Sequence, residues 1–162
     1  MDHFLEPTKL EPVLKTLKNQ GKKVVFTNGV FDLLHLGHVT YLQEARKRGD
    51  LLVVGLNSDA SVKRIKGPLK PLLPLAERAE MLLALDCVDY VTFFEEDNPF
   101  NIIQILKPDV LVKGGDWALD KIIGGDLVQS WGGKVLNIPV VPGRSTTNLI
   151  EMVVDRFGKK KN

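Results

Sequence analysis

The residues from 27 to 38 read Thr-Asn-Gly-Val-Phe-Asp-Leu-Leu-His-Leu-Gly-His, the most informative segment of the chain. It joins an apolar run, Val24 to Phe26, to a segment with helical period from Val39 to Arg48. A chain that leaves a strand, turns tightly and starts a helix directs free N–H groups and the positive end of the helix dipole to one place. The sequence therefore predicts a phosphate-binding turn between a first strand and a helix.

Two glycines and two histidines give this turn its chemistry. Gly29 and Gly37 fit as turn glycines, and the missing Cβ also lets the backbone approach a phosphate. His35 and His38 are close enough in sequence to converge on one anion. Asp32 either stabilises the turn through an Asx bond or positions His35 or a substrate hydroxyl. Zinc is the rival ligand, but the remaining histidine and the single cysteine are far away in sequence, so we expect no metal held by protein ligands.

The composition is that of an ordinary globular protein. The chain has 162 residues, 44% of them hydrophobic. Its net charge of +2 is too small to indicate nucleic-acid binding through overall electrostatic attraction. No apolar run approaches the ~20 residues that span a bilayer, and no signal peptide is evident. We expect one cytoplasmic domain over residues 1–162, with a helix at about 8–20, a solvated basic tail at 159–162, and neither membrane nor nucleic acid as a partner.

Short β-rich runs alternate with segments of helical period along the chain. Strands are predicted at 23–27, 51–56, 90–94, 110–113 and 134–138. Helices are predicted at 58–63, from 74 with Met81, Leu82 and Leu85 on the buried side, and at 99–106, 126–131 and 146–157. This alternation predicts an α/β fold with a Rossmann-like, doubly wound parallel sheet. Ligands then bind outside the carboxyl ends of the strands, where the polar loops gather.

Cationic side chains follow several of the predicted strand ends. Lys63 and Lys66 flank a Gly-Pro loop, from which a flexible cationic arm could cover a triphosphate. Arg78 lies one turn into a helix, and Lys113 directly follows a buried strand. Each is also an ordinary surface cation, and Arg78 beside Glu77 fits a helix-surface ion pair.

Two further segments carry polar groups next to predicted strand and helix ends. In the run after the fourth strand, Gly115 permits close approach of the backbone and Asp116 could accept sugar hydroxyls. Trp117 either packs against the protein or stacks on the nucleotide. Ser145 and Thr146 begin the last helix, where they cap it, contact a phosphate, or do both.

The stretch 29–38 resembles the G-x-F-D-x-x-H-x-G-H signature of the cytidylyltransferase-like nucleotidyltransferases. Ser145-Thr146-Thr147 is similar to that family's second motif. The runs 57–68, 94–97 and 112–117 resemble the adenylyltransferases of D-glycero-β-D-manno-heptose 1-phosphate, which make ADP-heptose for lipopolysaccharide core. The resemblance covers about residues 21–157 and implies the HxGH type of Rossmann-like fold. It implies in-line attack of a substrate phosphate on the α-phosphorus of ATP, with catalysis by positioning and by donors aimed at the growing charge.

The resemblance also implies roles for individual residues. Catalysis is expected from His35, His38 and Lys66. Nucleotide binding is expected from Thr27, Asn28, Gly29, Phe31, Gly37, Arg78, Lys113, Gly115, Ser145, Thr146 and Thr147. Binding of the sugar 1-phosphate is expected from Asp32, Asn57, Lys63, Asp116 and Trp117. Mg²⁺ is expected with ATP, and the chain is expected to form a homodimer or a higher homo-oligomer.

Three alternatives stay open. A cytidylyltransferase acting on glycerol 3-phosphate or a similar alcohol phosphate has the same fold, although Val-Pro-Gly-Arg at 141–144 departs from its usual Arg-Thr-x-Gly-Ile run. A non-catalytic nucleotide-binding regulator is the second, against which the presence of both histidines argues. A class I aminoacyl-tRNA synthetase fragment also carries His-x-Gly-His, but the chain has no Lys-Met-Ser-Lys-Ser loop. Without a sugar-kinase portion, we expect a stand-alone transferase.

Overall fold

The computed structural model describes residues 2–115, 117–139, 141–143 and 145–158. A five-stranded sheet forms its centre, with every neighbouring pair of strands parallel and in the order β3-β2-β1-β4-β5. The strands are β1 (Val24–Gly29), β2 (Leu51–Asn57), β3 (Tyr90–Phe94), β4 (Val110–Gly114) and β5 (Lys134–Ile138). The predicted α/β class and parallel five-stranded sheet are confirmed.

Helices cover both faces of the sheet. They are α1 (Pro7–Asn19), α2 (Leu36–Arg46), α3 (Asp59–Lys66), α4 (Leu75–Leu83), α5 (Phe100–Leu106), α6 (Gly125–Ser130) and α7 (Thr146–Phe157). Alternate side chains of β1 point to opposite faces, so Val25 packs in the core shared with α2 and α4. Phe26 packs in the core shared with α1, α5 and α6. This arrangement is the doubly wound architecture predicted from the alternation of elements.

The sheet opens at the carboxyl ends of β1 and β4. The two strands pair at Val25–Val110 and at Phe26–Leu111. Both strands continue beyond these pairs, to Gly29 and Gly114. Their last residues therefore bound a crevice at the point where the strand order reverses, which is where ligands bind in sheets of this type.

Several predicted boundaries are corrected by the structure. Helix α2 begins at Leu36 rather than Val39, because the turn residues themselves take helical geometry. Helix α3 continues past Lys63 and ends where Gly67 takes a φ of +97°, a conformation that glycine adopts without strain. Met81 is 51% exposed, because the buried side of α4 is formed instead by Arg78, Ala79 and Leu82.

Two further expectations concern the basic C-terminal tail and membrane-spanning helices. The basic tail at 159–162 lies outside the described residues. Among the helices that the structure describes, none combines the length and apolar character needed to cross a membrane.

Candidate active site

Two adjoining cavities open at the crevice between β1 and β4. The first, of about 310 Å³, is lined by the end of β1, the start of α2 and Lys113. The second, of about 440 Å³, is lined by Asp32, Lys66 and the start of α7. Among the described residues, four line both cavities: Val30, Phe31, His38 and Thr146. His38 therefore lies in the wall between two spaces, as a group acting on two substrates should.

The two predicted histidines meet at the start of α2. His35 is the N-cap residue in an extended conformation, which places His38 in the first helical turn. The rings stack with centroids 3.8 Å apart and planes 20° from parallel. No side chain caps the first turn of α2. Its N–H groups and both imidazoles thus surround one place, where a helix N-terminus favours an anion.

Burial controls the protonation of His38. Burial is the main reason that the pKa of His38 falls from 6.5 to about 4, and repulsion from a charge on His35 lowers this pKa further. A hydrogen bond to the backbone of Leu33 raises it in part. The ring of Phe31 lies against the imidazole, with centroids 5.1 Å apart. At neutral pH the imidazole of His38 is uncharged and carries one N–H donor.

Gly29 and Phe31 form a tight unit beside His38. Phe31 has a φ of +46°, a strained conformation for a residue with a side chain, and its ring is buried. A Cβ atom on Gly29 would lie 2.9 Å from the edge of that ring. The missing Cβ of Gly29 thus makes room for Phe31. The expectation that the Gly29 backbone also approaches a phosphate stays a prediction, and this backbone lines the first cavity.

The side chain of Thr27 is fully buried and does not line either cavity. Its hydroxyl is 2.6 Å from the hydroxyl of Tyr41, which also donates to the carbonyl of Val112 at 3.2 Å. Burial raises the pKa of Tyr41 to about 12, so the phenol stays protonated. Tyr41, which the sequence analysis did not single out, lines the first cavity and ties α2 to β1 and β4.

Three lysines surround the cavities. Lys113 lines the first, and its pKa is lowered by burial and by the charge of Lys66. Lys66, exposed at the end of α3, lines the second. Lys70 also lines the second cavity and lies 3.6 Å from a carboxylate oxygen of Asp32. Lys70 was missed in the sequence, where only its place in an irregular Gly-Pro segment marks it. Cations so close together favour an anionic ligand.

The structure corrects the interpretation of Arg78. Its side chain is fully buried, so a helix-surface ion pair is wrong. The guanidinium donates to the carbonyls of Leu73 (3.1 Å), Val30 (2.7 Å) and Asn57 (2.9 Å) and to the carboxylate of Asp59 (2.7 Å). Because its donors are used within the protein, this arrangement does not support direct contact with a phosphate. Arg78 instead joins the loop after β1, the end of β2 and the start of α3 to the segment that begins α4.

Asp32 and Asn57, both expected to bind substrate, are buried. The Asp32 carboxylate accepts hydrogen bonds from the backbone N–H groups of Leu72 and Leu73 at 2.9 Å. It therefore anchors a segment 40 residues along the chain instead of making an Asx bond in its own turn. The side chain of Asn57 donates to Ser61 and does not line either cavity.

The last helix brings its N-terminus to the same site. Ser145 caps α7 by accepting a hydrogen bond from the N–H of Asn148 at 3.0 Å, which confirms its capping role. Thr146 donates to the carbonyl of Leu33 at 3.4 Å and lines both cavities. Thr147 is exposed and lines the second. The first turns of α2 and α7 therefore face the same space.

Two more predicted residues stay outside this group. Lys63 is exposed, one turn before Lys66, and does not belong to the described lining of either cavity. Trp117 is 54% exposed and donates from its indole to the carbonyl of Gly114 at 3.1 Å, beside Gly115, which has a φ of +102°. Asp116 lies outside the described residues.

A profile of the family described as cytidylyltransferase-like matches residues 26–155, a span that contains both histidines and the start of α7. The chain belongs to the cytidylyltransferase-like family. The histidine turn and the Ser-Thr-Thr segment on which the resemblance rested thus lie within the matched region.

Relatives of the same family match most of this chain. Bifunctional protein HldE of Syntrophotalea carbinolica is 58% identical over 148 residues, which are 91% of this chain and 30% of the relative. Bifunctional protein HldE of Geobacter sulfurreducens is 56% identical over 151 residues, 93% of this chain and 31% of the relative. The chain therefore spans about a third of the length of the curated relatives it matches.

Solved structures share the cytidylyltransferase-like fold. A lipopolysaccharide core biosynthesis protein from Thermoplasma volcanium is 31% identical, with a TM-score of 0.61, over 75% of this chain and 98% of its own. Pantoate-beta-alanine ligase from Francisella tularensis is 17% identical, with a TM-score of 0.58, over 89% of this chain and 68% of its own. The second likeness concerns the fold alone.

The cytidylyltransferase-like site offers few metal ligands of its own. Among the described residues, no group of three or more His, Cys, Asp or Glu side chains is arranged to hold a metal ion. Of the described residues that line the two cavities, Asp32 is the only carboxylate, and both its oxygens accept backbone hydrogen bonds. A magnesium ion at this site would therefore fit best with phosphate oxygens and water as its ligands.

Proposed function

We propose that this domain is an adenylyltransferase that transfers AMP from ATP to D-glycero-β-D-manno-heptose 1-phosphate, giving ADP-heptose and pyrophosphate for lipopolysaccharide core synthesis. The observation that carries the proposal is the position of His38 in the wall between two adjoining cavities, at the start of α2. The choice of heptose is supported by the high identity to bifunctional protein HldE and by the similarity to the lipopolysaccharide core biosynthesis protein of Thermoplasma volcanium.

In this proposal the first cavity receives the triphosphate. The N–H groups of α2, the two imidazoles and Lys113 surround the α-phosphorus and the departing phosphates. An oxygen of the acceptor phosphate attacks the α-phosphorus in line, and the bond from that phosphorus to the bridging oxygen breaks, so that pyrophosphate leaves. Neutral His38 donates a hydrogen bond to the oxygens on which charge grows.

This reaction requires no nucleophile from the protein, which agrees with the chain's single cysteine. Cys87 is half-buried, and burial raises the pKa of its thiol. It lines a separate cavity beside Arg46 and Ala84, away from the two described above. The thiol is therefore neither ionised nor placed to attack a nucleotide.

Mg²⁺ would accompany ATP, neutralise part of its negative charge and keep the triphosphate in one conformation. Orienting the two phosphates falls to the protein, through the helix N-termini and the lysines. We place the reaction in the cytoplasm, where ATP is supplied. Assembly into a homodimer or a higher oligomer stays a prediction.

The test is a pyrophosphate-release assay on the purified chain with ATP and D-glycero-β-D-manno-heptose 1-phosphate. Glucose 1-phosphate and glycerol 3-phosphate serve as alternative acceptors and CTP as an alternative donor. We expect release with ATP and the heptose phosphate at a kcat/KM well above that of any other pair. A preference for CTP with glycerol 3-phosphate would establish the cytidylyltransferase instead. Absence of release with every pair would establish a non-catalytic nucleotide-binding protein.

A further inference from the structure

We propose that the second cavity receives the phosphate of the acceptor and that Lys70, oriented by Asp32, is its principal binding residue. This inference rests on the proposed function, which requires a phosphate monoester next to the nucleotide. Lys70 was not among the residues singled out in the sequence. The cavity also contains Lys66 and the first turn of α7, so its wall carries two ammonium groups and a helix N-terminus.

The ammonium group of Lys70 is buried without the hydrogen bonds that a buried charge needs. Its Nζ atom is buried and has no hydrogen-bond partner among the described residues. The nearest carboxylate oxygen, from Asp32, is 3.6 Å away, which is an ion-pair distance and too long for a hydrogen bond. That oxygen already accepts a hydrogen bond from the N–H of Leu72 at 2.9 Å. Three N–H donors of Lys70 are thus left for another acceptor.

A phosphate in the second cavity would satisfy these donors. A buried charged group that makes no hydrogen bonds is costly, so such a group indicates a binding partner. A phosphate monoester offers several negatively charged oxygens, which form short hydrogen bonds to ammonium groups. The cavity, at about 440 Å³, is larger than the first, so space remains for the sugar that carries the phosphate.

The position of the cavity fits an attacking group. His38 and Thr146 line both cavities, so an anion in the second lies directly beside a nucleotide in the first. Reacting atoms must be held close and in line for a phosphate to attack another phosphorus. Lys70 lines the second cavity and is not among the described residues that line the first, so it would hold the acceptor without competing for the donor.

Lys70 and Lys66 have different surroundings and therefore different expected roles. Lys66 is exposed on α3, and its charge lowers the pKa of Lys113 in the first cavity. Lys66 is therefore close to the triphosphate side. Lys70 is held by Asp32, which also anchors the backbone at Leu72 and Leu73. A fixed cation is suited to selecting one acceptor geometry, whereas a flexible one is suited to covering a triphosphate.

The experiment compares Lys70→Met, Lys70→Arg and Lys22→Met with the wild-type chain. Lys22 is an exposed lysine in the turn that precedes β1, at the amino end of this strand and away from the two cavities, and is the matched control. We expect Lys70→Met to raise the KM for the heptose phosphate about ten- to a hundredfold, the effect of losing a hydrogen bond to a charged group. The KM for ATP should stay within about twofold, and Lys70→Arg should recover most of the acceptor affinity.

An unchanged acceptor KM in Lys70→Met, or an increase confined to ATP, would overturn the inference. Lys70→Gln gives the same comparison if the methionine variant does not fold. Titration with inorganic phosphate, followed by NMR, adds a readout that does not need turnover, and we expect weaker binding in the Lys70 variant than in Lys22→Met. If the wild-type chain released no pyrophosphate with any pair, the proposed function would fail. Equal phosphate affinity of the two variants would then reject the cavity assignment independently.

Discussion

The imidazole rings of His35 and His38 stack with their centroids 3.8 Å apart, at the first turn of α2. Two rings at this distance cannot both be positively charged imidazolium ions without strong repulsion. The low pKa of His38, about 4, follows from its burial and from this neighbour. The pair is therefore arranged to meet an anion with N–H donors, and a phosphate placed there would raise the pKa of His38.

Replacing His38 with Ala tests the part that this residue plays in the reaction. We expect kcat to fall about a hundredfold or more, the effect of removing one preorganised donor of about 3–4 kcal/mol from the transition state. The measurement is steady-state pyrophosphate release with ATP and the heptose phosphate. His3→Ala is the matched control, because His3 is exposed and stacks on Tyr90 at the edge of the sheet. A kcat within about twofold of wild type in His38→Ala would show that the reaction does not use this imidazole.

The pKa of His38 predicts how stability changes with pH. The pKa is about 4 in the folded protein and 6.5 as the ordinary value, so between these values the unfolded chain binds the proton and the folded chain does not. Lowering the pH from 7 to 5 should therefore reduce the free energy of unfolding.

The decrease should be smaller in His38→Asn, which has no imidazole at that position. The measurement is the Tm at pH 7, 6 and 5 for wild type, His38→Asn and His3→Asn. The last variant should keep the wild-type dependence on pH. If Tm fell equally with decreasing pH in all three proteins, the folded-state pKa of His38 would lie near its ordinary value.

Arg78 is expected to stabilise the fold far more than a surface arginine does. Arg78→Met leaves the buried carbonyl of Asn57 and the partly buried carbonyls of Val30 and Leu73 without their donor, and each buried group left unsatisfied costs about 1–3 kcal/mol. We expect the free energy of unfolding to fall by about 3 kcal/mol or more, as measured by urea denaturation.

Arg64→Met is the matched control for Arg78. Arg64 is exposed and pairs with Asp97 on the surface at 2.8 Å, so its loss should cost less than about 1 kcal/mol. Similar losses in the two variants would contradict the organising role of the buried guanidinium.

Local patterns in the sequence predict the elements of this fold well. The apolar runs at Tyr90–Phe94 and Lys134–Ile138 give strands with the predicted bounds, because each is covered by helices and has turn residues on either side. The last helix begins directly after Ser145, whose side chain caps it. The sequence places the start of α2 too late, because Gly37 lies in the first turn and glycine is a poor helix former.

Contacts between distant segments are what the sequence does not predict. The Arg78 side chain points into the protein because its guanidinium bonds to the carbonyl groups of Val30, Asn57 and Leu73, which come together only in the folded protein. Lys70 meets Asp32 through a segment whose irregular sequence carries no helical or strand period. The histidine turn was found because its chemistry is contained in one short stretch, whereas the cationic wall of the second cavity is assembled from α3, α7 and a loop.

The contact between Gly29 and Phe31 gives a prediction that links packing to catalysis. A Cβ atom at position 29 would lie 2.9 Å from the Phe31 ring, so Gly29→Ala must displace that ring. Overpacking of this kind costs about 1–3 kcal/mol of stability. Because the Phe31 ring lies against His38, the displaced ring should also move the imidazole and lower kcat.

A double-mutant cycle separates this effect from a general loss of folding. Phe31→Leu replaces the ring that the new methyl group meets with a smaller side chain. Gly29→Ala should therefore cost less stability in the Phe31→Leu background than in wild type. Urea denaturation and kcat are measured for the four proteins of the cycle. Additive losses would mean that the alanine acts through some other contact, since a coupling energy is expected only when the two side chains compete for the same space.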